Sequence, residues 1–267
     1  MAVDETQNKP SICFMLPRTG HAGTERHVLS LATGLRDRGF GARIVCLFEE
    51  GSLAQEVRKA GIPLVCLGET HGWGPSTMFR LFRSLRTHRV DILHTYLFGF
   101  HAFAGLPARI LKIPVILSSR REIALWKTLR HRCLENFGNL FVDRVICCSQ
   151  AVQQWTREHE KIPPETLLTI YNGVDCNWFK NNSDGLQVRQ RLGITQKDSV
   201  IGTVANFGAE KGYSHLLQAA DMVLKDMPSG WFLFVGSGPL LEEMKEKAKR
   251  ISRPDRIVIA GRQQDVR

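Results

Sequence analysis

The 267-residue chain is longer than one ordinary domain, and with 43% hydrophobic and 23% charged residues it is globular, which excludes a disordered or fibrous protein. Its formal charge of +10 is unevenly placed: residues 70–135 carry 11 Lys and Arg against Asp91, Glu122 and Glu135, a net of +8, so the rest is close to neutral. No run approaches the roughly 20 apolar residues of a membrane span, MAVDETQNKP lacks a secretory apolar core, and seven cysteines form no C-x-x-C pair, so a cytoplasmic chain without disulfides, metal or cofactor is expected.

Short β-branched runs alternate with longer amphipathic stretches. Strands are expected at 11–16, 42–48, 63–67, 91–96, 114–119, 144–149 and 167–171. Helices fall between them, at 24–38, 52–60, 76–88, 100–111, 122–140 and 150–159. This alternation predicts an α/β fold with a parallel sheet covered on both faces. Gly39 suits the position after a helix end, and Ser149 suits an N-cap. The polar segment DCNWFKNNSDG (175–185) reads as a linker, after which strands return at 199–205, 231–236 and 256–261, with helices near 213–226 and 239–251. The expected organisation is a first domain over 1–174, a linker region over 175–197 and a second domain over 198–267. With three strands, that second domain is expected to be incomplete and to leave an open sheet edge.

Three turns are candidates for ligand contact. In PRTGHAGTERH, Gly20, Ala22 and Gly23 join the first strand to a helix whose first turn holds Thr24 and Glu25. Such a turn lets backbone N–H groups approach an anion at a helix N-terminus, although any α/β domain can carry a glycine there for structure alone. In AEKGYSHLLQA, Lys211 precedes Gly212 at the carboxyl end of a strand, where it is either a ligand cation or a solvated surface lysine. In FVGSGPLLEEM, Gly236 and Gly238 permit close backbone approach and Pro239 suits a first helical position; a structural turn is the equal alternative.

The segments AGTERHVLSLATGLRDRG, VDILHTYLFGFHA, VDRVICCSQAV, IYNGVDCNWF, GTVANFGAEKG, VGSGP and AGRQQDV, in this order, resemble the retaining glycosyltransferases of family 4. The resemblance implies a GT-B fold of two Rossmann-like domains, the acceptor bound mainly on the first and a nucleoside diphosphate sugar on the second. It implies donor contacts at Gly23, Asn206, Lys211, Gly236 and Gly238, and acceptor-side positions at Thr24, Glu25 and His94. Lys211 would pair with the donor diphosphate as charge develops on the leaving group. Arg120 would supply positive charge where many members carry a histidine, in the tract Ser118-Ser119-Arg120-Arg121. Two departures stand out: Ala22 replaces the first of two glycines, where a positive φ would be strained, and Asn206 replaces an arginine. The paired glutamates of the family would fall beyond Arg267, so the chain is expected to be a fragment, inactive alone.

The resulting expectation is sugar transfer to a glycan or polyprenyl- or lipid-linked acceptor with retention. The alternative is a non-catalytic module that binds a sugar nucleotide or glycan. No nucleic-acid reader motif is present. Arg80, Arg83, Arg86 and Arg89 at three-residue spacing, and Trp126 among cations in 118–132, give two stretches (76–89 and 118–132) suited to an anionic membrane surface.

Overall fold

The computed structural model describes residues 9–20, 22–68, 74–180, 185–263 and 265–266. The chain divides into two compact units, Met1–Gly173 and Val174–Arg267. The first holds strands β1 (Ser11–Leu16), β2 (Gly41–Cys46), β3 (Leu64–Cys66), β4 (Ile92–Tyr96), β5 (Val115–Arg120), β6 (Arg144–Cys147) and β7 (Leu167–Thr169). They form one sheet in the order β3-β2-β1-β4-β5-β6-β7, every pair parallel. Between them run α1 (Gly23–Arg36), α2 (Ala54–Lys59), α3 (Pro75–Thr87), α4 (Phe100–Ile110), α5 (Leu129–Asn139) and α6 (Gln150–His159).

Both faces of this sheet are covered, which is why its strands read as continuous apolar runs. On one face Met15, Val45 and Leu93 pack with Leu81 and Leu85 of α3 and Phe103 of α4. On the other, Phe14, Ile44 and Tyr96 pack with Val28 of α1 and Val57 of α2. Strand order reverses between β1 and β4, so the crevice that such sheets offer to ligands opens at the carboxyl ends of those two strands. Leu97, directly after β4, has φ 68°, a strained conformation for a branched side chain at that point.

The helix expected over 122–140 starts only at Leu129. Residues 121–128 are irregular because Lys127 turns inward to two carboxylates. The helix then opens at Thr128, whose backbone N–H donates to His131 Nδ1 at 3.1 Å. Ser149 caps α6 as expected, its Oγ accepting from the Val152 amide at 3.2 Å.

The second unit contains β8 (Ser199–Val204), β9 (Gly230–Val235) and β10 (Ile257–Gly261), parallel in the order β10-β9-β8. Its helices are α7 (Cys176–Lys180), α8 (Gly185–Leu192), α9 (Tyr213–Asp226) and α10 (Leu241–Ala248). Phe207, Tyr213, Leu217, Phe232, Phe234 and Met244 make its core. The stretch read as a linker carries the short helices α7 and α8, and its residues 181–184 lie outside the described ones. Helix α10 begins at Leu241 and not at Pro239, because the Leu240 amide is committed to the Phe207 carbonyl at 3.0 Å.

Candidate functional site

In the first unit the candidates gather at the β1/β4 reversal. The turn after β1 is pinned by Thr19, whose Oγ1 accepts from the Gly51 amide at 2.9 Å. Ala22 takes φ −72° and ψ 167°, an extended conformation any residue adopts, so the strain expected from losing a glycine there does not arise. Gly23 and Thr24 open α1, and Glu25 is buried in its first turn. Burial pushes the Glu25 carboxyl up, against the pull of its own backbone amide and of Arg18. Its Oε2 has no hydrogen-bond partner among the described residues. A buried, half-satisfied carboxyl beside a strand-to-helix turn is a ready acceptor for a ligand hydroxyl.

His94, on β4, is fixed from both sides. Its Nε2 lies 2.9 Å from Ser119 Oγ, and its Nδ1 lies 3.4 Å from the Tyr96 hydroxyl. Burial drives its pKa down to about 3, with His27 and Arg121 adding repulsion. His27 on α1 falls to about 4, again through burial and then Arg121. Both imidazoles are therefore neutral at physiological pH and act as hydrogen-bonding groups, not as cations.

Arg120 corrects a sequence expectation. Counting by two along β5 from Ile116 puts Ser118 and Arg120 on one face, opposite to Ser119. The Arg120 guanidinium meets Glu160 through Nε at 3.1 Å and Nη2 at 2.8 Å, Asn139 Oδ1 at 2.8 Å and Ser118 Oγ at 2.6 Å. Glu135 lies 3.2 Å away, and Lys127 bridges Glu135 at 3.1 Å and Glu160 at 3.3 Å. Two cations and two carboxylates thus neutralise each other inside the protein. Burial works against the Arg120 charge, and Glu160 and Glu135 outweigh it. Glu135 also accepts from the Gly99 amide at 3.1 Å, tying the segment after β4 to α5. The cation brought toward the β1/β4 crevice is the neighbour, Arg121, whose charge is felt at His27, His94 and Tyr96. Sequence reading missed Lys127, Glu135, Asn139 and Glu160; the one available signal was the strand period, which turns Arg120 inward and calls for a buried counter-charge.

In the second unit the two turns meet. Phe207 stacks on Tyr213 with ring centroids 4.0 Å apart, and the Tyr213 hydroxyl donates to the Ala205 carbonyl at 2.9 Å. The Phe207 amide donates to the Ser237 carbonyl at 3.0 Å. A Cβ at Gly238 would lie 2.6 Å from the Phe207 oxygen, and one at Gly236 would overlap the Ala205 carbonyl. Both positions thus require glycine because the turn 236–240 is pressed against the backbone of 205–207. Gly212, with φ 66°, hands the chain to α9. Asn206 and Lys211 are both exposed on this clamped loop, and the Lys211 ammonium has no partner among the described residues. The arrangement offers an exposed cation and a neutral amide on a clamped loop beside a close-packed glycine turn, a combination suited to a diphosphate.

Residues 21–178 match the profile of Glycosyltransferase Family 4, and residues 186–267 that of Glycosyl transferases group 1. The chain is 21% identical to an Escherichia coli UDP-Gal:alpha-D-GlcNAc-diphosphoundecaprenol alpha-1,3-galactosyltransferase over 92% of this chain and 67% of that protein. It is 26% identical to the alpha-monoglucosyldiacylglycerol synthase of Streptococcus pneumoniae over 66% of this chain and 43% of that protein. Its fold matches that of Anabaena HepE in complex with UDP and glucose, with a TM-score of 0.81 at 20% identity, covering 95% of this chain and 70% of the other.

Proposed function

Because the chain belongs to Glycosyltransferase Family 4, we propose that it moves a sugar from a nucleoside diphosphate donor to a glycan or lipid-linked acceptor, with retention at the anomeric carbon. The observation that carries this reading is the exposed Lys211 on a loop locked by Gly236 and Gly238. Lys211 binds the donor diphosphate and stabilises the negative charge that grows as the sugar leaves. Asn206, beside it, adds a neutral amide donor. On the first unit, the unpartnered Glu25 oxygen and Arg121 orient acceptor hydroxyl or phosphate groups, and buried neutral His94 holds Ser119 and Tyr96 behind them. A lipid-linked acceptor is favoured because the names of the Escherichia coli and Streptococcus pneumoniae relatives specify a diphosphoundecaprenol and a diacylglycerol. Incubation with a panel of nucleoside diphosphate hexoses and polyprenyl-diphosphate sugars tests this, read by proton NMR of the product. The reading expects the donor's anomeric configuration in the product; an inverted product, or no transfer from any donor, overturns it.

We also place the protein at the cytoplasmic face of a membrane, as a peripheral protein. No described helix is long and apolar enough to cross one. Leu125, Leu129 and Trp126 are 83%, 78% and 51% exposed, next to Arg130. Arg120 and Lys127 contribute nothing to this surface, because they are buried, and Leu81 and Leu85 of α3 belong to the core. Surface binding therefore combines the apolar tip at 125–129 with exposed Arg130, which adds about 1 kcal/mol near anionic lipid. Co-sedimentation should favour anionic over neutral vesicles and weaken in high salt. Arg130→Gln should reduce the lipid preference, and Leu125→Glu should reduce binding to both. Equal binding to neutral vesicles, or no change in these variants, contradicts the placement.

A further inference from the structure

We propose that the groove between α3 and the edge strand β3 is a binding site for a phosphate group, built wholly within the first unit and independent of Lys211. Arg43 lies on β2 in register with Cys13 of β1, on the sheet face where Val45 and Leu47 are fully buried. It is 7% exposed. An arginine in such a place needs a counter-charge, since a buried unpaired cation is strongly disfavoured. None is present. Arg43 Nη1 donates to the Ser84 carbonyl at 3.2 Å and stands 3.4 Å from His88 Nδ1. Its Nε and Nη2 have no hydrogen-bond partner among the described residues, and neither has the buried Ser84 Oγ beside it. Cys13 does not supply the missing anion: burial pushes its thiol up to about 11 against the pull of Arg43, so it stays protonated at neutral pH.

These donors border a groove of about 290 Å³, near the lower limit for small-molecule sites. Arg80 and Arg83 of α3 also line it, and no described carboxylate does. The Arg80 Nη1 is anchored on the Leu67 carbonyl at 2.7 Å, which holds that guanidinium at the groove wall. The unpartnered Arg43 donors, exposed Arg83 and a serine hydroxyl around one concavity match a compact anion with several oxygens, and planar guanidinium groups suit phosphate in particular. The phosphate can come from a free phosphate compound or from the headgroup of a phosphomonoester lipid. The chemistry recognised is the same.

The test uses the full chain with isotopically labelled arginine, whose Nε–H signals report each guanidinium by NMR. Inorganic phosphate is titrated at constant ionic strength against chloride. In parallel, vesicles of phosphatidylcholine with and without phosphatidic acid are offered in co-sedimentation. The proposal expects a saturable shift of the Arg43 signal with phosphate, or selective binding to phosphatidic acid that Ser84→Ala and Arg83→Gln weaken. The first result identifies a free phosphate compound as the source and the second a lipid. Arg83→Gln should weaken binding about tenfold, as the loss of one charge-assisted hydrogen bond does. Ser84→Ala, which leaves the fold's charges untouched, should also weaken it. Lys211→Ala should leave the Arg43 shift intact, which separates this site from the donor site. If neither probe acts through Arg43, or if Ser84→Ala and Arg83→Gln bind as tightly as the unaltered chain, the site does not exist.

Discussion

Arg120→Ala is expected to destabilise the first unit by about 3–5 kcal/mol, the range for breaking a buried ion pair and stranding its partners. The magnitude follows from what remains. Glu135 and Glu160 are each 1% exposed at the side chain, and with Arg120 gone only Lys127 faces them, leaving one buried negative charge uncompensated. The acid response follows as well. Burial alone would raise the Glu160 carboxyl, but Arg120 and Lys127 overrule it and hold its pKa at about 2 against an ordinary 4.5. A depressed folded-state value means stability that is complete above the ordinary value and lost as pH falls through the folded one. The unaltered protein should therefore lose stability between about pH 4.5 and 2, and Glu160→Gln should abolish that part of the slope. Combining Arg120→Met with Glu160→Leu should destabilise by less than the two single changes added together, since the pair is removed whole. Urea titration followed by amide exchange in β5 and α6 reports on this unit alone. A loss below about 1 kcal/mol for Arg120→Ala would show that the cluster is not a paired network.

Lys211→Ala should weaken binding of a nucleoside diphosphate sugar by about 1.5–3 kcal/mol, the contribution of a charge-assisted hydrogen bond to phosphate. The native fold should be untouched, because Lys211 is exposed and bonds to none of the described side chains. If charge grows on the leaving diphosphate during transfer, kcat should fall by more than binding weakens. Lys211→Arg should recover part of the binding, since it keeps the charge on a longer, planar group. An affinity change below about 0.5 kcal/mol would mark Lys211 as a solvated surface lysine, far short of a charge-assisted bond. Gly238→Ala gives a useful contrast: its Cβ would strike the Phe207 carbonyl, so it should disturb the same loop through packing and lower stability as well as binding.

Much of the fold was legible because its signal is local. Each expected strand is present within two residues at either end, since buried parallel strands announce themselves as continuous apolar runs such as Ile12–Leu16. The start of α5 was not legible. Ile123, Leu125 and Trp126 continue a helical-looking pattern, yet Lys127 is pulled inward by Glu135 and Glu160, and no local rule reports a partner 33 residues away. The same distance problem hides the purpose of Gly236 and Gly238, whose nearest neighbours are the carbonyls of Ala205 and Phe207. Ala22 was misjudged for the opposite reason: a family pattern suggested a conformational demand that this backbone does not make. Arg43 left no trace in the sequence reading, because a single arginine in ARIVC looks like an edge residue until the strand is found second from the edge.

The most direct measurement of the central claim is a calorimetric titration of donor fragments against the full chain. Nucleoside diphosphate sugar, nucleoside diphosphate and nucleoside monophosphate are compared for each common base, with and without Lys211→Ala. A loop that recognises the diphosphate predicts that the two diphosphates bind similarly and the monophosphate at least about tenfold more weakly. Lys211→Ala should erase most of that difference. A monophosphate that binds as tightly as the diphosphate, with no dependence on Lys211, would contradict a donor site on this loop.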